Sequence, residues 1–300
     1  MFAYFKKRKA RMLHDKAQVF SHEGKDNEAL DLYYKALECD EKRPTTHYNI
    51  GLIYKYRGVW DQSFDHNLRA HELNPTDEAA LWNLGIAATA LRRWKEARDA
   101  WIKYGVKMEA GVMPPEMDFG MSPVRVYGPE GEAEVVWGRR IDPARTKIIS
   151  VPYPDSGFRY GDLVLNDGAP NGSRVVDGQE YSVFDVLELI TASEYSTFSV
   201  TVKAECMEDV EELDEFAEQE GVVLEDWTQN VRHICRACSE GKVHEDHDEH
   251  EVESEEWVHE RSIGVAALEE DKVHKVLDRW MVGGEREVIG VECRLPAERH

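Results

Sequence analysis

The chain has 300 residues, 42% of them hydrophobic, and a formal net charge of −22. That apolar share is enough for packed cores and excludes a globally disordered chain, while no apolar run approaches membrane-spanning length. Residues 1–110 hold 19 Lys+Arg against 16 Asp+Glu, a net of +3, and residues 111–300 hold 18 against 43, a net of −25. The acidic part repels phosphate backbones, so no nucleic-acid partner is expected. The opening MFAYFKKRKARM has cations without an apolar stretch after them and does not read as a secretory signal. Five cysteines, Cys39, Cys206, Cys235, Cys238 and Cys293, are odd in number and suggest no disulfide framework. Together these features point to a reducing cytoplasm.

The first third repeats with a period of 34 residues. With Ala10, Pro44 and Glu78 as position one, position eight reads Ala17, Gly51 and Gly85, and position twenty reads Ala29, Ser63 and Ala97. Position eleven reads Phe20, Tyr54 and Ala88, and position four Leu13, His47 and Leu81. The second copy adds Ile50, Gly58, Ala70 and Pro75, the last placed to stop a helix. The first copy departs most, with Lys16 where leucine is usual and Glu41 where proline is usual. A terminal repeat that caps a stack is commonly atypical. Over residues 10–110 the chain resembles the tetratricopeptide repeat (TPR) family.

That resemblance implies a stack of antiparallel helix pairs with a concave groove lined from the first helix of each pair. Carried over by position, the lining is Arg11, His14, Gln18, Thr45, Tyr48, Leu52, Lys55, Tyr56, Ala79, Trp82, Ile86 and Thr89, with Asn49 and Asn83 beside them. One subfamily clamps the C-terminal carboxylate of chaperones with cations and asparagines. Asn49 and Asn83 match that pattern, but His14 and Ala79 stand where cations are needed. The expected occupant is a protein or peptide, or the chain's own C-terminal half.

A Gly- and Pro-containing linker is predicted at 111–122. Residues 123–192 read as short strands between dense turns, namely Gly131, Asp142-Pro143, Asp155-Ser156-Gly157, Asp167-Gly168, Asn171-Gly172 and Asp177-Gly178. Segments 133–141, 146–151 and 162–166 are predicted strands, 183–189 is a strand or a short helix, and the whole suggests a small β-barrel or curled sheet. Residues 193–300 read as an α+β region. Strand 197–204, helix 207–220 and a strand region over 222–224 and 227–234 come first. After an insert follow strand 262–267, helix 271–281 and strand 287–293. The order β-α-β, insert, β-α-β resembles the ferredoxin-like plait.

The insert, within 233–259, holds Cys235, Cys238, His244, His247 and His250. Two cysteines separated by two residues turn both sulfurs to one side, and two nearby histidines complete a tetrahedral set of the kind Zn²⁺ prefers. Gly241 permits the sharp reversal this needs. The predicted ligands are Cys235, Cys238, His244 and His247, with His250, His233 and His259 as substitutes. The pair-to-pair spacing is shorter than in ordinary zinc fingers, and an acidic His-rich loop with unbound thiols is the alternative. No Gly-x-Ser-x-Gly elbow, phosphate loop or His-Glu-x-x-His occurs, so the reading leans away from an enzyme. The expected function is a cytoplasmic adaptor or scaffold with a zinc-stabilised acidic region. A metal-dependent enzyme or metal sensor using the insert, and an acidic immunity or assembly factor for a basic partner, are the alternatives.

Overall fold

The computed structural model describes residues 2–129, 131, 133–176, 178–228 and 257–297. The chain divides into two compact units, Met1–Glu116 and Met117–His300.

The first unit is three helix pairs: α1 (Phe2–His22) with α2 (Asp26–Cys39), α3 (Pro44–Tyr56) with α4 (Trp60–Leu73), and α5 (Glu78–Ala90) with α6 (Trp94–Tyr104). Pro44 sits at the start of α3, where its missing N–H costs no helical bond. Asp77 caps α5 by accepting from the Ala79 and Ala80 amides, both at 3.1 Å. The period-34 small residues lie where paired helices touch: Ala17, Ala29, Ser63 and Ala97 are fully buried. A Cβ on Gly85 would stand 2.5 Å from the Trp101 ring, and one on Gly51 2.6 Å from Asn67. Beyond α6, Arg98 donates to the Glu109 and Met113 carbonyls at 2.6 and 2.7 Å. The first residues of the stretch read as a linker are therefore pinned to the last helix.

The second unit opens with a closed barrel of β1 (Met121–Tyr127), β2 (Ala133–Arg140), β3 (Arg145–Ile148), β4 (Leu163–Val176) and β5 (Gln179–Thr191). Neighbours run antiparallel, and a short parallel seam joins β1 to β5. Val124, Val126, Val136, Ile148 and Val164 fill it. β1 begins inside the stretch read as a linker: Met117 and Phe119 already donate to the Ile141 and Arg140 carbonyls, so pairing overrides local composition. Asp167-Gly168 and Asn171-Gly172, predicted as turns between short strands, lie within β4 instead. There the ladder to β5 shifts register between Asn166 and Pro170 and between Pro170 and Ser173. Bulges use the same residues as turns, which is why the signal misleads.

Next come β6 (Ser196–Lys203), α7 (Met207–Glu220), β7 (Val223–Asp226), β8 (Glu260–Ala267), α8 (Glu270–Trp280) and β9 (Glu287–Leu295). They form a four-stranded antiparallel sheet in the order β7-β8-β6-β9. Phe198, Val200, Val202 and Val265 meet Leu213 and Ala217 of α7 and Val273, Val276, Leu277 and Trp280 of α8 in one core. β7 ends at Asp226; of the predicted continuation over 227–234, residues 229–234 lie outside the described residues. Trp227 instead turns and buries its indole, with Nε1 donating to the Val151 carbonyl at 3.0 Å. Gly264 of β8 makes room for it, since a Cβ there would lie 2.2 Å from the indole.

Candidate functional site

The first helices of the three pairs form one continuous layer. His14 of α1 bonds the Thr46 hydroxyl of α3 at 2.9 Å, and Lys55 of α3 donates to Asn83 of α5 at 3.3 Å. This layer carries the residues predicted to line the groove, and the structure sorts them by depth. Gln18 and Tyr56 are exposed; Tyr48, Asn49, Leu52 and Trp82 are half-buried; His14, Lys55, Asn83 and Ile86 are buried.

Depth decides what each can do. Ile86 is fully buried and belongs to the core rather than to a wall. The His14 ring lies 5.4 Å from that of Tyr33, and burial, followed by the charge of Arg43, holds its pKa below the usual imidazole value. A neutral, buried imidazole cannot replace a lysine in gripping a carboxylate. Asn49 donates to the Tyr33 hydroxyl at 3.0 Å and Asn83 accepts from Lys55, so both asparagines already serve internal bonds. The Lys55 ammonium lies 4.4 Å from the centroid of the Tyr56 ring, a cation–π contact beside the exposed surface. Tyr56 is 60% exposed. Trp82 packs edge-on against Trp101 and Tyr104 at 4.9 and 4.6 Å.

The predicted metal ligands Cys235, Cys238, His244 and His247 lie outside the described residues, as do His233 and His250. Among the described residues no group of three or more His, Cys, Asp or Glu is arranged to hold a metal ion. His259, a substitute ligand, is exposed and pairs with Glu205 at 3.3 Å.

Two tetratricopeptide domains are among the solved structures to which part of this chain is similar. The first TPR of Spaghetti (RPAP3) bound to the HSP90 peptide SRMEEVD is 26% identical, covers 33% of this chain and 78% of that one, and has a TM-score of 0.31. The second TPR of the same protein, with the same peptide, is 22% identical, covers 34% of this chain and 89% of that one, and has a TM-score of 0.32. No family model matches the chain, and no curated protein matches it. No helix among the described residues is long and apolar enough to cross a membrane.

Two features escaped the reading by repeat position. One is a hydrogen-bonded chain across α2, α3 and α4. His47 Nδ1 meets His66 Nδ1 at 3.1 Å, His66 Nε2 meets Tyr34 at 3.4 Å, and Tyr34 meets Tyr54 at 3.1 Å. Burial, then the charge of His47, lowers the His66 pKa to about 4. The other is an arginine-floored cleft in the barrel. Both join residues from different elements, so neither has a local sequence signature.

Proposed function

We propose that the repeats are a docking platform, on which an extended peptide or partner segment lies across α1, α3 and α5, making the protein a cytoplasmic protein–protein interaction adaptor. The observation that carries this reading is the exposed Tyr56 ring, held against the Lys55 ammonium, on the helix layer that also carries the half-buried Tyr48 and Trp82. Rigid aromatic side chains with a cation nearby dominate binding energy at interfaces. The internal engagement of His14, Asn49 and Asn83 favours an apolar or aromatic segment over a chaperone-type carboxylate tail. The protein's own acidic half is the other candidate occupant, favoured by the opposite signs of net charge in the two halves.

Tyr56→Ala tests this best, because the side chain is exposed and its loss leaves the helix core intact. Trp82→Ala also removes packing on Trp101 and would confound fold with binding. Tyr56→Ala should weaken capture of the partner by about tenfold or more, the cost of an interface aromatic. Crosslinks from the groove to residues 117–300 that vanish in the variant would make the chain's own half the occupant. Undiminished capture by both Tyr48→Ala and Tyr56→Ala would remove the groove from the mechanism.

For the second unit we read the sheet order, with two helices against one face, as a ferredoxin-like plait interrupted by a zinc-binding insert. Two observations support this: the antiparallel order β7-β8-β6-β9, and the adjacency of β7 and β8, which pair from Val223↔Ala266 to Asp226↔Ile263. Both ends of the insert therefore emerge at the same end of adjacent strands. Cys235, Cys238, His244 and His247 are the proposed ligands, and the proposed role is structural, with sensing or catalysis by the metal as the alternative.

A further inference from the structure

The barrel closes through a parallel seam of only two pairs, Val124↔Phe184 and Arg125↔Asp185. β1 starts at Met121 and β5 at Gln179, so the starts of both strands run past the seam without pairing each other. Pro123, which has no N–H to give to a ladder, stands immediately before the first seam pair. The gap is a cleft of about 280 Å³ between Phe119, Met121 and Ser122 on one side and Glu180, Tyr181, Ser182 and Phe184 on the other.

Arg140 lines this cleft, and its electrostatic situation differs from that of its neighbours. Arg139 is paired with Asp118, and Arg145 with Asp142 at 2.5 Å. Arg140 has no carboxylate within ion-pairing distance among the described residues. Its guanidinium stacks 4.6 Å from the Phe184 centroid, Nη2 donates to the Pro143 carbonyl, and Nε is buried without a hydrogen-bond partner. Burial lowers its pKa, offset in part by the field of Asp142. A largely buried guanidinium without a counter-ion is costly, and a carboxylate brought to it gains charge-assisted bonds.

We propose that this cleft binds a carboxylate carried on a flat apolar body, with Arg140 as counter-ion and Phe119 and Tyr181 as walls. The volume lies near the lower end of the roughly 300–1,000 Å³ usual for ligand pockets, which suits one aromatic ring with its acid group. A free aromatic acid and an aromatic residue at a peptide C-terminus share this chemistry. Glu180 at the rim acts against anions and sets the selectivity.

Saturation-transfer NMR on the full chain with benzoate, benzamide and N-acetylphenylalanine tests the site. At least one acid should bind, and benzamide about tenfold more weakly, the equivalent of one lost charge-assisted bond. Arg140→Gln should abolish the preference for the acid, and Glu180→Gln should tighten acid binding severalfold. Ser182→Trp, at an exposed position, should block the cleft even if Arg140→Gln proves unstable. Benzoate binding as well as N-acetylphenylalanine assigns a free acid; N-acetylphenylalanine alone assigns a peptide terminus. Acid and amide binding alike, no binding by any probe, or acid binding unchanged by Glu180→Gln and Ser182→Trp, would overturn the proposal.

Discussion

Gly85 shows how a single atom governs the repeat stack. Position eight of the second and third copies faces the residue sixteen places later: Gly51 faces Asn67 and Gly85 faces Trp101, while in the first copy Ala17 and Tyr33 belong to one core. Gly85→Ala has two opposed effects. Alanine favours helix by about 1 kcal/mol, but its Cβ would meet three Trp101 ring carbons at 2.5–2.7 Å. Trp101 is fully buried and also packed by Trp82, so the ring cannot swing away. Overpacking of this kind costs about 1–3 kcal/mol, and the steric effect wins. The repeat unit should melt several degrees lower in Gly85→Ala, about 4–8 °C per kcal/mol for a domain near 100 residues. Gly51→Ala should cost less, because Asn67 is smaller and its amide can shift. Equal midpoints for Gly85→Ala and wild type in calorimetry would mean that the ring yields.

At the scale of elements, the contact among α2, α3 and α4 is sensitive to acid. His47 Nε2 lies 3.0 Å from the Glu41 carbonyl and must carry a proton, which makes its Nδ1 an acceptor. His66 then donates from Nδ1, and its Nε2 accepts from Tyr34, which accepts from Tyr54. Every bond in the chain is satisfied with both rings neutral. The His66 pKa of about 4 lies below its unfolded value of 6.5, so the unfolded state binds the proton more readily. The contribution is complete above pH 6.5 and is lost as pH falls towards 4, by about 3 kcal/mol at most. The lowered pKa values of His14, His47 and His71 act in the same direction. Helical signal from the repeats should melt lower at pH 5 than at pH 7, and His66→Gln should flatten that slope. A midpoint that does not move between those pH values would remove the network as a source of stability. Elements α7 and α8 were legible from periodicity because their signal is local, and the Met207–Glu220 helix matches the prediction; α3 was legible through the 34-residue repeat. The first strand was not, because Met121-Ser-Pro123 resembles a loop until β2 pairs with it. Nor were the Trp227–Gly264 and Arg140–Phe184 contacts, each of which joins residues more than thirty positions apart.

At the scale of the whole molecule, each unit has a core of its own: Ala17, Tyr33 and Ile50 with their neighbours in the first, Phe198, Leu213 and Trp280 with theirs in the second. The zinc proposal therefore carries a signature expected in the second unit, where the flanking strands lie. A structural site contributes its binding free energy to folding, about 10–16 kcal/mol in isolated zinc-finger peptides. In a unit with a core of its own, the loss on chelation should fall well below that, because the four-stranded sheet keeps its apolar contacts with α7 and α8. Untagged protein purified without added metal should hold about one zinc per chain, as expected of one four-ligand site. Cys235→Ser with Cys238→Ser should lose it. Hydrogen exchange should then rise in β7 and β8, which flank the insert, while protection in α1–α6 stays unchanged. Zinc lost without any change in β7 and β8 would shift the role to sensing or catalysis. Metal-free protein with β7 and β8 fully protected would sink the zinc reading and leave the four-stranded sheet standing on its core alone. The acidic field of the second unit sharpens the choice, since it draws cations nonspecifically. Only zinc that survives exchange against excess Mg²⁺ and disappears with the two cysteines counts as a site.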